Sequence, residues 1–429
     1  MVSGIAARSA RLPLHVLTIS TSLPRRCGIA TFNGDLSREL TSAGVKVTNI
    51  ALRRGNESHV YPDSTVTTIA QDSHSDYLDA ARFINRFRPD AVLLEHEFGI
   101  YGGQHGSYIV DLLAHLKVPV VTLVHTYPFT QVSSADKEKK AVLQHLGSLS
   151  VSVSTISQVV QQRLTADFRA INLTTPVVHI PHGTPDLKRF LLRHPKHALG
   201  LEDTVTLATF GLIGPGKGID QVISALPEIV ARHPQVVYYI LGAPHPADQQ
   251  AKKYLAALHS KVQQLELTKH VEFVTRFLSV PEIMHYLQAT DVYITFYRDP
   301  DQASSGTLAY AVAAGCCVVS TPYLHARELL ANDRGVILPF GDRAALIKTL
   351  IDLLADDQRR QEYKQRALAY GRPTAWPLVG QAYLKMLSSA AVRASASVTV
   401  KSETIIEPPA DKNLPTTSPV PTSTIKPTG

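Results

Sequence analysis

Short apolar runs recur along most of the chain, and between them apolar residues return every three or four positions. Runs at 14–20, 45–51, 91–95, 118–125, 149–155 and 177–180 read as buried strands. Amphipathic stretches at 31–43, 75–87, 107–116 and 135–148 read as the helices that connect them. The alternation pauses over 185–203, a mixed segment with prolines and several basic residues, and then restarts. Strands are predicted at 205–210, 236–241, 271–273, 292–296, 317–320 and 335–338. Helices are predicted at 218–233, 250–265, 281–289, 305–314 and 343–354. Strands alternating with helices specify parallel sheets covered on both faces, the α/β class. The pattern divides the chain into a Rossmann-like domain at 12–185, a linker at 186–203 and a second Rossmann-like domain at 204–372. A final helix follows at 373–390, centred on 376–387. From 391 to 429 the composition turns to Ser, Thr, Pro and Lys without a hydrophobic period, which predicts disorder.

Bulk composition narrows the class of function. The 429 residues are 44% hydrophobic and 18% charged, enough apolar material for two cores. The formal net charge of +7 is spread along the chain, so no basic stripe marks a nucleic-acid partner. The mild excess fits anionic substrates first, and peripheral contact with an acidic membrane surface second. Cys27, Cys316 and Cys317 form neither a disulfide framework nor a metal-ligand spacing. The apolar run at 14–19 is too short for a membrane span or a signal segment. Together these predict a cytoplasmic protein, with the inner membrane face as the place for any peripheral contact.

The most informative segment is Phe210-Gly211-Leu212-Ile213-Gly214-Pro215-Gly216-Lys217-Gly218, between a predicted strand and a predicted helix. Glycines let backbone N–H groups approach a phosphate, Lys217 adds a positive charge, and a helix N-terminus adds its dipole. No Ser or Thr follows the lysine and the glycine spacing is wrong for a Walker loop. A second anion cradle lies at Gln302-Ala303-Ser304-Ser305-Gly306-Thr307, where a serine caps a helix and Gly306 and Thr307 open it. Two cradles in one domain suit a diphosphate. The first turn of the chain has no Gly-x-Gly-x-x-Gly, which disfavours a dinucleotide site.

The N-terminal domain places further polar residues at strand exits, where open parallel sheets bind ligands. Arg25-Arg26-Cys27-Gly28 follows the first strand; Gly28 permits close approach, whereas the two arginines suit a ligand contact or a solvated surface equally. Glu95-His96-Glu97-Phe98-Gly99 ends another strand, with His96 readable as a ligand contact or as a buried, hydrogen-bonded ring. His125 ends a third, and a strand-end histidine on its own reads as packing or as a contact. Pro181-His182-Gly183 closes the domain facing the expected cleft. No Gly-x-Ser-x-Gly elbow supports a serine hydrolase.

In order and spacing this set resembles the family-4 retaining glycosyltransferases of the GT-B fold. The resemblance covers about residues 14–387 and rests on Gly28, His125, Phe210-Gly211 through Lys217-Gly218, Ala311 through Gly315, and Glu328 followed by Gly335-Val336-Ile337-Leu338-Pro339. It implies two Rossmann-like domains facing a central cleft, with the terminal helix crossing back to the N-terminal domain. It implies transfer of a hexose from a nucleotide-diphosphate sugar, such as a UDP- or GDP-hexose, to a carbohydrate or glycolipid acceptor, with retention and without a metal or other cofactor. The resemblance assigns catalytic roles to His125, Lys217 and Gln302. Donor contacts are expected from Gly28, Gly211, Gly216, Lys217, Ser305, Gly306, Thr307, Tyr310 and Glu328, and acceptor-side contacts from Glu97, His96 and His182.

Two departures from the family stand out. The family pairs its lysine with an arginine about six positions earlier, where Leu212 lies in or beside that place. The family's Glu-x7-Glu pair falls on Gln302 and Tyr310, so neither carboxylate is present. Tyr310 offers one hydroxyl where a carboxylate accepts two bonds. These departures leave two alternatives: a retaining disaccharide phosphorylase of the same fold, and a noncatalytic protein that binds sugar nucleotides.

Overall fold

The computed structural model describes residues 13–402 apart from 56, 58, 130–132 and 247. The first sheet has seven parallel strands: His15–Ser20 (β1), Lys46–Arg53 (β2), Thr65–Ala70 (β3), Ala91–His96 (β4), Val120–Val124 (β5), Ser152–Thr155 (β6) and Val177–His179 (β7). Their order is β3-β2-β1-β4-β5-β6-β7, with Val16 beside both Val47 and Ala91. The second sheet has six: Val205–Phe210 (β8), Val236–Leu241 (β9), Val271–Val274 (β10), Val292–Thr295 (β11), Val318–Ser320 (β12) and Val336–Ile337 (β13). Their order is β10-β9-β8-β11-β12-β13, all parallel. The chain thus has the GT-B architecture of two Rossmann-like domains.

Each sheet is buried because helices cover both faces. Helix Ile219–Arg232 shows how: Ile219, Val222, Ile223, Leu226 and Ile229 are buried at helical spacing against β8 and β9. Capping sets the helix starts. Cys27 caps Gly28–Ser42, its Sγ accepting from Ala30 N, and Ser279 forms a reciprocal box with Glu282 at Val280–Ala289. No helix among the described residues is long and apolar enough to cross a membrane.

The terminal helix, Trp376–Ser402, buries Trp376, Val379, Tyr383 and Leu387 against Phe32, Leu36 and Leu40 of helix Gly28–Ser42. It therefore crosses back to the N-terminal domain. Two chain crossings meet at its start. Thr184 N donates to Thr374 O at 2.9 Å, and Trp376 N donates to Thr184 O at 2.8 Å. A side chain at Gly183 would stand 2.3 Å from the indole, so the close approach requires glycine there.

Several elements depart from the sequence reading. Strand β3 was not expected: it lies at the sheet edge and only Ile69 is buried in it, so it carries almost no hydrophobic signal. Helices Gln158–Ala170, Leu324–Leu329 and Asp357–Gly371 were also not expected; the last is polar, burying only Tyr363, Ala367 and Gly371. The linker 186–203 is structured, with helix Pro195–Leu199 docked through Lys196 Nζ on Asp291 at 2.6 Å. The terminal helix runs twelve residues past its expected end at 390, correcting the disorder predicted over 391–402. Those residues are Ala, Ser, Val, Thr, Arg and Lys, with no Gly or Pro to stop a helix. The rest of the predicted tail, 403–429, lies outside the described residues, as does residue 12.

Trp376→Ala should cost about 3–5 kcal/mol, because the indole is buried and packs edge-on against Phe32 at 5.0 Å. Urea unfolding followed by circular dichroism measures it. A loss below about 1 kcal/mol would mean that the crossing is not held by this ring.

Candidate functional site

In an open parallel sheet, ligands gather beyond the carboxyl ends of the strands, where the strand order reverses. In the first sheet that point lies between β1 and β4, and in the second between β8 and β11. The segments that follow these four strands face one another across a cavity of about 540 Å³. Arg25, Cys27 and Gly28 after β1, Glu97 and Ile100 after β4, and His125 and Thr126 after β5 form one wall. Gly211, Leu212 and Lys217 after β8, and Tyr297, Gln302 and Ser304 through Thr307 after β11, form the other.

On the C-terminal wall, Gly211 has φ +123°, and a Cβ there would lie 2.9 Å from Thr307 Cγ2. The glycine keeps the two anion cradles in contact. Lys217 Nζ donates to the Tyr297 hydroxyl and lies 4.3 Å from the centre of its ring. Ser305 Oγ accepts from Leu308 N at 3.2 Å and so caps helix Gly306–Ala313. The N–H groups of Gly306 and Thr307 have no carbonyl within the helix to bond, and both residues line the cavity. Gln302 lines it too, with Nε2 on Ser304 O at 2.5 Å. One lysine and a helix N-terminus make this wall attractive to an anion.

The N-terminal wall is mostly neutral. His125 Nε2 lies 3.3 Å from Glu95 Oε2, and Phe32 meets the imidazole edge-on at 5.1 Å. Burial lowers the His125 pKa to about 4, only partly opposed by Glu97, and burial holds the Glu95 carboxyl well above the usual carboxylate range despite a bond from Ser20. A protonated Glu95 that donates to Nε2 leaves His125 with its proton on Nδ1. Burial likewise brings His182 to about 4. His182 Nδ1 donates to Gly183 O at 2.7 Å, and a Cβ on Gly306 would meet His182 Nε2 at 2.9 Å. Glu97 reaches the cavity and accepts from the Thr126 hydroxyl.

The structure brings together His125, Lys217, Gln302, Gly28, Gly211, Ser305, Gly306, Thr307, Tyr310, Glu97 and His182 on one cavity. Four expectations change. His96 is buried within the domain, stacked on Tyr101 at 5.8 Å, because all of β4 is covered and only Glu97 emerges from it. Gly216 does not line the cavity; its carbonyl accepts from Arg298 N at 3.1 Å. Glu328 lies away from the cavity. It accepts from Ser157 Oγ at 2.7 Å and from Gln158 N at 3.0 Å, capping helix Gln158–Ala170 of the other domain. Tyr310 keeps its ring on the cavity, but its longer side chain carries the hydroxyl across to Asp35 Oδ2 at 3.3 Å, inside the protein.

One residue escaped the sequence reading, and one left open there is settled. Tyr297 follows a switch-point strand, the one signal that could have found it. Arg25 proves to be buried in the wall, 3.7 Å from Glu57, rather than solvated. Among the described residues no group of three His, Cys, Asp or Glu side chains could hold a metal ion.

Residues 195–369 match the family of glycosyl transferases group 1. The chain is 24% identical over 263 residues to a GDP-mannose-dependent monoacylated alpha-(1-6)-phosphatidylinositol monomannoside mannosyltransferase of Corynebacterium glutamicum, covering 57% of this chain and 65% of that protein. It is 27% identical over 187 residues to a phosphatidyl-myo-inositol mannosyltransferase of Mycolicibacterium smegmatis, 43% of this chain and 45% of that one. The matches thus span less than two thirds of these relatives. In fold it is similar to Anabaena HepE, solved in complex with UDP and glucose, with a TM-score of 0.66 at 15% identity, covering 88% of this chain and 100% of that one.

The buried histidines carry a pH signature. Burial lowers His96 and His325 to about 3, and His125 and His182 to about 4. Below about pH 6.5 the unfolded chain protonates these rings while the fold does not, so stability falls as pH drops toward 4. Glu95 acts in the opposite sense above about pH 4.5, being protonated in the fold and ionised in the unfolded chain. His96→Phe removes one histidine without touching the cavity. Urea unfolding at pH 7, 6 and 5 should show a slope shallower by about 1 kcal/mol per pH unit in this variant. Parallel slopes would mean that His96 is not held neutral.

Proposed function

We propose that the chain, whose residues 195–369 match the glycosyl transferases group 1, transfers a hexose from a nucleotide-diphosphate sugar to an acceptor hydroxyl, with retention at the anomeric carbon. The observation that carries this reading is the facing of two switch points across one cavity, with Lys217 and the N-terminus of helix Gly306–Ala313 on the same wall. When the glycosidic bond breaks, negative charge grows on the diphosphate. A fixed ammonium and oriented N–H groups stabilise that charge without reorganising, and more than they stabilise the bound donor. The donor therefore belongs on the C-terminal wall and the acceptor on the wall of Glu97 and Thr126. In the name of the Corynebacterium relative the donor is GDP-mannose, and the similar structure was solved with UDP and glucose, which supports a GDP- or UDP-hexose here.

Each step falls to a named group. Lys217 contacts the departing diphosphate. Gln302 hydrogen-bonds a sugar hydroxyl, using an amide where a carboxylate would only accept. His125, neutral at pH 7, donates from Nδ1 to another hydroxyl of the sugar. The bond from the anomeric carbon to the phosphate oxygen breaks, and a bond to the acceptor oxygen forms on the same face. The acceptor's proton passes to the diphosphate. We propose that the reaction needs no metal, because Lys217 and the helix N–H groups meet the charge. A glycolipid acceptor is the counterpart of the phosphatidylinositol acceptors in the relatives' names, and contact with the inner membrane face would follow from it.

A thermal-shift panel of UDP-, GDP- and ADP-hexoses tests the reading directly. A ligand at 100 times its Kd should stabilise the protein by about 2.7 kcal/mol, and no response to any of them would overturn it. Lys217→Ala should lower transfer by at least about a hundredfold with the melting temperature nearly unchanged. His125→Ala should lower kcat more than it lowers stability; the reverse balance, measured on one preparation, would make His125 a packing residue.

A further inference from the structure

Tyr297 is an ionisable side chain on the donor wall that the proposed mechanism does not use. It follows β11 at the switch point of the second sheet, and its ring lines the cavity. Its hydroxyl joins the two cradles. Lys217 Nζ donates to it from the first; Ser305 Oγ at 3.3 Å and Thr307 Oγ1 at 3.3 Å approach it from the second. Tyr323 fixes the ring plane by meeting it edge-on at 4.8 Å.

The proton inventory at this oxygen is informative. Lys217 has only N–H groups to offer, so there the phenol oxygen accepts. The Ser305 oxygen already accepts from Leu308 N, and its own proton points to the same phenol oxygen. The remaining wall partner of the Tyr297 hydroxyl is Thr307 Oγ1, over a long bond in which either hydroxyl can donate. A phosphoryl oxygen in the cavity replaces such a bond at little cost. Burial opposes loss of the phenolic proton, but the charge of Lys217 and the bonds from Lys217, Ser305 and Thr307 outweigh it and set the pKa below its ordinary value. A more acidic phenol is a stronger donor to an anion.

We propose that Tyr297 is a further catalytic residue, whose hydroxyl donates to the same phosphoryl group of the leaving diphosphate that Lys217 contacts. This rests on the reading of the cavity as a nucleotide-sugar site. It supplies the second side-chain donor that Leu212, apolar and on the same wall, does not. The phenol keeps its proton throughout, so the transfer balances as before.

A phosphate ladder separates this role from simple packing. Calorimetric titrations with GDP, GMP and guanosine, and with UDP, UMP and uridine, are run on the full chain, on Tyr297→Phe and on Tyr297→Gln. The phenylalanine variant keeps the ring and should weaken diphosphate binding about tenfold while leaving monophosphate and nucleoside within about twofold. Its kcat should fall at least tenfold with the acceptor KM unchanged. The glutamine variant keeps a donor and should recover part of both losses. Unchanged diphosphate affinity and kcat in Tyr297→Phe would overturn the proposal, as would equal losses across the whole ladder. Should the phenylalanine variant not melt cooperatively, Tyr297→Gln decides alone: monophosphate loss equal to diphosphate loss overturns the proposal. An unsubstituted protein that binds neither diphosphate overturns the site reading and this proposal with it. One that binds and transfers, with Tyr297→Phe equal to it, overturns only the role of Tyr297.

Discussion

The cleft depends on one joint, where the backbone of Thr184 exchanges hydrogen bonds with the segment 374–376. The chain leaves the N-terminal domain at 184 and returns to it at 376, so both crossings pass through the same few ångströms. Trp376 fills the space that Gly183 leaves and reaches Phe32, on the helix whose first turn forms the cavity wall. Loosening this packing would displace the Gly28 wall relative to Lys217. Because packed interiors transmit strain rather than absorb it, one ring at the joint sets the width of a site some distance away.

Two further contacts tie the domains together, and both involve residues at positions where the resemblance suggested ligand contacts. Tyr310 reaches Asp35, and Glu328 caps a helix of the opposite domain. Each exchanges a contact with substrate for a contact with protein. The buried Asp35 carboxylate would have no such partner if Tyr310 moved away, since its other oxygen is held by Arg38 at 2.8 Å. Leaving a buried oxygen without its donor costs about 1–3 kcal/mol, which favours the closed arrangement. Polar groups that remain on the C-terminal wall include Lys217, Arg276, Tyr297, Gln302, Ser305, Thr307 and helix N–H groups.

The sequence made the architecture legible because parallel strands buried on both faces are continuous apolar runs. Every strand of both sheets except β3 was visible, since edge position and alternating threonines erase the signal there. The polar helix Asp357–Gly371 was invisible for a related reason: it presents a stripe of only three buried residues to the core. Cradle residues were legible through Gly, Ser and Lys at strand-to-helix turns, where backbone conformation restricts the residue type. Residues whose role depends on reach were not. His96 and Glu97 are adjacent in sequence, and only the pleat of β4 decides which one meets the cavity. Tyr297 and Tyr310 are each one tyrosine among 16 until a fold gives their hydroxyls partners.

The electrostatics of the two walls follow from this division. The acceptor side holds histidines kept neutral by burial, a carboxyl group pushed toward its protonated form and a glutamate satisfied by Thr126. Arg25 on that wall is paired with Glu57 at 3.7 Å, so the wall neither attracts nor repels a negative charge strongly. The C-terminal wall sets Lys217 and the N-terminus of helix Gly306–Ala313 close to Gly211 and Thr307. A diphosphate entering the cavity therefore has one favourable wall, and its orientation is set before any contact with the base. On the proposed reading, phosphates held there would direct the sugar toward His125 and Gln302, which line the same cavity.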